Sequence, residues 1–248
     1  MACSNCGEPD TIKAHLIPKV FCQQIQDGTS HAAQVTESGE FRKSQSGLWD
    51  RTILCAECDN RLGELENYAH QVFAAVRDQG SEVPWKGKRI DGADNKKILR
   101  FCAAILYKYS LTDDAKGQID LGFYKEVCRS VAFGETGIHS DLDAFFWRPL
   151  RFPYDSGQFI YRAPFLAHSQ TVDLYRMMMG GMLIFVKLDK SEAPELGTRK
   201  FMIKGKESFV YLTVPAQGLE EYETTKRIIE ENKYLSDYLG RMENQSTK

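Results

Sequence analysis

Two Cys-x-x-Cys pairs, Cys3-Ser4-Asn5-Cys6 and Cys55-Ala56-Glu57-Cys58, constrain this chain more than any other feature. A tight turn between paired cysteines presents both thiolates to one ion, and four converging thiolates form a closed tetrahedral zinc site. Such a site has no open coordination position, so its zinc is structural. A redox-active pair would instead follow a strand in a βαβ unit, and neither pair does. An iron–sulfur cluster is the other use of four thiolates. Residues 1–60 are therefore expected to be irregular structure ordered by metal, with ligation supplying folding energy that a thin core lacks. Between Gln23 and Thr52 the chain is polar and rich in Gly, Ser and Thr, which fits a loop or weak hairpin.

The other three cysteines, Cys22, Cys102 and Cys128, stand alone. Unpaired thiols among apolar residues suit a reducing compartment, so a cytoplasmic protein is expected, with no signal peptide before Cys3. The net charge of −2 is not that of a protein that coats nucleic acid indiscriminately, though it leaves room for a local basic patch. The longest apolar run, Met177–Val186, is broken by Gly180-Gly181 and is too short to span a bilayer, so no membrane partner is expected.

Hydrophobic periodicity places a helix after Cys58, through Leu62, Leu65, Ala69, Val72, Phe73 and Val76, ending by Gly80. Residues 81–92 read as a linker. Asp94 is a candidate N-cap for a second helix with Ile98, Phe101, Cys102, Ile105 and Tyr109 on one face. A third helix is expected over about 118–133. From about residue 144 the pattern turns β-rich, with segments 159–161, 172–179, 182–188, 200–203 and 209–214 and a hairpin at Gly180-Gly181. A charged helix over about 219–239 closes the chain. The fold class expected is α+β: a zinc module (1–80), then an α+β unit (81–248) with a helical segment, an antiparallel sheet and a terminal helix.

Between the knuckles lies Lys13-Ala14-His15-Leu16-Ile17-Pro18, and around the second lies Asp50-Arg51-Thr52-Ile53-Leu54-Cys55-Ala56-Glu57-Cys58-Asp59-Asn60. This order and spacing, with a helix after the second knuckle, resembles the zinc-knuckle HNH endonucleases over about residues 1–70. The resemblance implies a treble-clef (ββα-metal) module and metal-dependent hydrolysis of nucleic-acid phosphodiester bonds. It implies that His15 is the general base, that Asp50 orients it, that Asn60 belongs to the catalytic set, and that Asp59 ligates Mg2+ or Mn2+. Ala14 stands where the family commonly has a ligand. Glu66, on the same helical face as Asp59, is the candidate replacement; His70 and His31 are weaker ones.

Lys86, Lys88 and Arg89, with Trp85 as a stacking platform, form a candidate nucleic-acid contact; the bland alternative is a solvated linker. No Walker loop or Gly-x-Ser-x-Gly elbow is present. The expected function is an HNH-like endonuclease acting on nucleic acid, with DNA favoured, in bacterial anti-phage defence or a mobile element. A homo-oligomer or a regulatory protein partner is also within expectation. The competing reading is a non-catalytic zinc module, derived from that fold, that binds nucleic acid or a protein.

Overall fold

The computed structural model describes residues 2–24, 32–35, 41–44, 47–80, 83–150, 161–168, 172–191, 199–233 and 236–237. It is a mixed α+β fold. Ten strands are described: β1 (Ala14–His15), β2 (Ala32–Val35), β3 (Phe41–Ser44), β4 (Trp49–Asp50), β5 (Gly87–Ile90), β6 (Leu142–Leu150), β7 (Arg162–His168), β8 (Asp173–Met179), β9 (Met182–Leu188) and β10 (Phe209–Pro215). The described α-helices are α1 (Lys19–Gln24), α2 (Ala56–Asp78), α3 (Asn95–Leu111), α4 (Tyr124–Ala132) and α5 (Glu220–Glu231).

Local chemistry accounts for the main elements. Cys55 sits at the N-cap of α2, so the second knuckle and the helix start are one feature. Asp94 caps α3, its carboxylate accepting from the Lys96 and Lys97 amides. Gly180 and Gly181 both take positive φ, as the two-residue turn joining β8 to β9 requires.

The principal sheet has six strands in the order β5-β10-β6-β9-β8-β7. It is mixed, not antiparallel as expected, because β10 runs parallel to β6. The expected linker at 81–92 contains an edge strand, β5, paired to β10. The expected strand at 200–203 is instead a turn. The buried Asn95 amide holds the segment after it by donating to the Ile203, Lys206 and Ser208 carbonyls. The third helix is shorter than expected. His31 and most of the expected strand at 159–161 lie outside the described residues. So do residues 238–248.

One cluster of buried side chains runs from Cys3 and Leu16 through Leu62, Phe101 and Phe146 to Ile184 and Tyr211, without a break at residue 80. Phe73 is central, with its ring about 6 Å from those of Phe21, Phe101 and Phe146. A second cluster, with Phe145, Phe185 and Phe201, packs against Leu219 and Tyr222. Glu221 fixes α5 by accepting from Arg162 and Arg176. Among the described residues no helix is long and apolar enough to cross a membrane.

Candidate metal centre and the histidine face

Cys3, Cys6, Cys55 and Cys58 converge, with their sulfurs all within 4.8 Å of one another. A tetrahedral ion with Zn–S bonds of about 2.3 Å needs sulfur–sulfur separations of about 3.8 Å. The Cys6–Cys55 sulfur pair is already at 3.6 Å. The donor set therefore fits zinc. The first knuckle is a tight turn closed by the Gly7 amide on the Cys3 carbonyl, with Gly7 at φ 77. The second uses the N-terminus of α2, whose dipole favours thiolate.

Burial would raise the Cys3 thiol, but the amides of Cys6, Cys55 and Asn5 outweigh it and hold it at about 6. Cys58 is pushed up by burial, then by its neighbouring thiols, although Asn5 opposes this. The Asn5 side chain donates to the Cys58 sulfur at 3.1 Å and accepts from Arg129 at 2.9 Å. Tyr107 donates to the Ser4 carbonyl. These contacts dock the knuckle on α3 and α4 and set its sulfurs in a hydrogen-bonded outer shell.

Between the two knuckles runs a two-stranded ladder in which Ala14 faces Asp50 and His15 faces Trp49. Side chains alternate along a strand, so His15 and Trp49 share one face while Ala14 and Asp50 share the other. This one-residue register corrects the expected Asp50–His15 pair. Asp50 is 1% exposed. Its carboxylate accepts from the Thr52 amide and hydroxyl, the Thr112 hydroxyl and Lys116. Burial would raise this carboxyl, but those donors hold it well below the usual range. Asp50 therefore fastens β4 to the end of α3 and does not orient the imidazole.

The His15 face is basic and aromatic. The Lys13 ammonium lies 4.5 Å from the Trp49 ring centre and the Arg51 guanidinium 5.4 Å from it. Burial, joined by the charges of Lys108, Lys19 and Lys13, pulls the His15 imidazole down to about 4. It is neutral at pH 7. Its Nε2 is buried and has no hydrogen-bond partner. An orphaned buried nitrogen has a real energetic cost and needs a reason.

Beneath this face lies a group that periodicity did not reveal. Lys108 is fully buried in α3, and its ammonium donates to the Glu66 carboxylate and to the His15 carbonyl. It ties α2, α3 and β1 together. A lone lysine inside the apolar run Phe101–Tyr109 was the available signal. Glu66 is consequently not free for a divalent cation: it is the counterion of Lys108. Asp59 lies one turn into α2. Its carboxyl is raised to about 6 by burial, lowered in part by Lys108 and raised further by Glu66. Asn60 is exposed on the same turn. His70 packs edge-on against Phe21, and its Nε2 is buried without a partner.

Apart from the four cysteines, no group of three ligating side chains converges among the described residues. Asp59 and Glu66 belong to no such group. Of the expected nucleic-acid contacts, Lys88 donates to the Gly80 carbonyl. Arg89 pairs with Asp91 at 3.1 Å, both of those side chains being 70% exposed. Lys86 is exposed. Comparison with protein-family models, with curated proteins and with solved structures finds no match.

Proposed function

We propose that this protein is an HNH-like endonuclease whose structural zinc holds a treble-clef scaffold and whose His15 activates water against a nucleic-acid phosphodiester. The single observation that carries the reading is the orphaned Nε2 of a neutral His15 on the ladder between the knuckles, flanked by Lys13, Trp49 and Arg51. Basic side chains around an aromatic ring suit a phosphate backbone with an adjoining base or sugar.

The chemistry follows from the charges. A phosphodiester anion docked on Lys13 and Arg51 offsets the cationic field that depresses His15, so the imidazole becomes more basic as substrate binds. His15 then takes a proton from water as the water oxygen bonds to phosphorus. The bond from phosphorus to the leaving oxygen breaks, and that oxygen takes a proton from water. Because Nε2 lies below the surface, substrate reaches it only on local opening. Among the described residues no second group of three ligating side chains converges, and no step here passes through a second metal.

One observation favours the non-catalytic reading. Ala14 cannot ligate, Glu66 is taken by Lys108 and Asp50 is taken by Thr112 and Lys116. The test is incubation of the zinc-loaded chain and its His15→Ala variant with single- and double-stranded DNA and RNA. Magnesium, manganese or a chelator too weak to strip the zinc would be added in parallel. Cutting that the variant loses supports the nuclease. Cutting equal in the variant refutes His15 as base, and binding without cutting favours the zinc-module reading.

A further inference from the structure

At the far end of α2 from the zinc centre, the sheet edge carries a feature outside the histidine face. Trp85 precedes β5, is 66% exposed and has φ 60, the left-handed region that suits glycine and strains a residue bearing a bulky side chain. The strain is fixed from beneath. The Trp85 amide donates to the Thr213 carbonyl at 2.6 Å. The buried Thr213 hydroxyl accepts from the Lys86 amide and donates to the Val83 carbonyl at 2.8 Å. A large ring is thus presented to solvent on a rigid turn. Exposed indoles held in this way are pre-organised for contact.

The ring borders an open groove of about 550 Å3, lined also by Lys88, Arg89, Lys200 and Phe201 and, among the described residues, by no acidic side chain. Its floor requires Gly87. A Cβ there would lie 2.9 Å from the Phe201 ring, so glycine lets that ring approach β5 closely. The Lys200 ammonium lies 5.1 Å from the Phe201 ring centre. Among the described residues Arg89 pairs with an exposed aspartate, an interaction of little strength that a stronger anion displaces. One exposed indole beside three cations, on a chain of net charge −2, forms a localised basic, stacking surface, with the buried Phe201 ring beneath it.

We propose that this groove binds single-stranded nucleic acid, with one base stacked on Trp85 and the adjoining phosphates on Lys200 and Arg89. A single strand suits it because stacking needs bases out of the duplex, whereas the phosphate contacts need only the backbone. The proposal deepens the nucleic-acid reading of the protein but does not depend on His15 chemistry. From Asp59 to Gln79, which donates to the Arg89 carbonyl, α2 runs about 30 Å, so the groove is a separate surface.

The test is fluorescence anisotropy of a labelled oligothymidylate and of a labelled duplex of equal length, titrated with the zinc-loaded full chain in low and moderate salt. Trp85→Gly removes the ring and relieves the backbone, so folding is preserved; a thermal melt checks this. Lys200→Glu tests the charge. The expected result is preference for the single strand, weakened about 5- to 100-fold by Trp85→Gly. Lys200→Glu should weaken binding and flatten its salt dependence. Binding of parent strength in both groove variants, preference for duplex, or no binding would each overturn the proposal. If cleavage fails but groove-dependent binding holds, the nuclease reading falls and this one stands.

Discussion

Replacing Lys108 by Met tests the physical account of the site's foundation. The methionine fills nearly the same volume, so packing changes little. What is lost is the ammonium that neutralises Glu66 and bonds the His15 carbonyl. Lys108 is fully buried, and Glu66 is 8% exposed. Removing one partner of such a pair leaves an uncompensated buried charge, which costs about 3–5 kcal/mol. Removing both costs far less, because a hydrophobic pair of similar volume avoids desolvating either charge. Urea unfolding of zinc-saturated parent, Lys108→Met, Glu66→Leu and the double variant at pH 7 measures all four corners of the cycle. The single lysine variant should lose about 3 kcal/mol or more, and the double variant should recover most of that. A loss below about 1 kcal/mol, or a double variant no better than the lysine single, would refute the buried-pair assignment. It would also return Glu66 to the set of free acids.

Two further outcomes follow. Zinc should be present at one per chain, and a strong chelator, or Cys58→Ser, should unfold the knuckle and lower the melting temperature; metal-free protein with an unchanged melt would contradict the four-cysteine site. His15 should make stability fall as the solution is acidified. Its folded value of about 4 lies below its ordinary 6.5, so between those values the unfolded chain holds a proton that the folded chain lacks. Stability is lost as pH falls through that window. Between pH 7 and pH 5 the parent should lose up to about 2 kcal/mol more than His15→Asn, measured by urea midpoints.

The chain spelled out what depends on spacing. Four cysteines in two pairs announced their convergence. The 3.6-residue period announced the apolar faces of α2 and α3, and Gly180-Gly181 announced the β8–β9 turn. Features set by long-range geometry were not legible. The pairing of β10 with β6 is parallel and joins distant segments, so no local turn signals it. Strand β5 is a short, half-exposed edge whose Gly-Lys-Arg-Ile pattern reads as a linker. Asp50 sits in the right place along the sequence, but a register of one residue turns its carboxylate away from His15. Glu66 looked like a solvated acid or a ligand because its partner lies 42 positions away in an apolar run. Conversely, the alternation of Lys13 with His15, and of Trp49 with Arg51, was readable as one face once the two short strands were aligned.

The central claim of the proposal is that His15 acts as the base and that Asp50 does not orient it. The most direct measurement is single-turnover cleavage of a labelled oligonucleotide by zinc-loaded parent, His15→Ala and Asp50→Asn, each normalised to folded protein. His15→Ala should lose at least about 100-fold in rate, as removal of a general base does. Asp50→Asn should keep its rate per folded molecule while losing stability. Equal rates in parent and His15→Ala, or abolition by Asp50→Asn in a protein that remains fully folded, would contradict the claim.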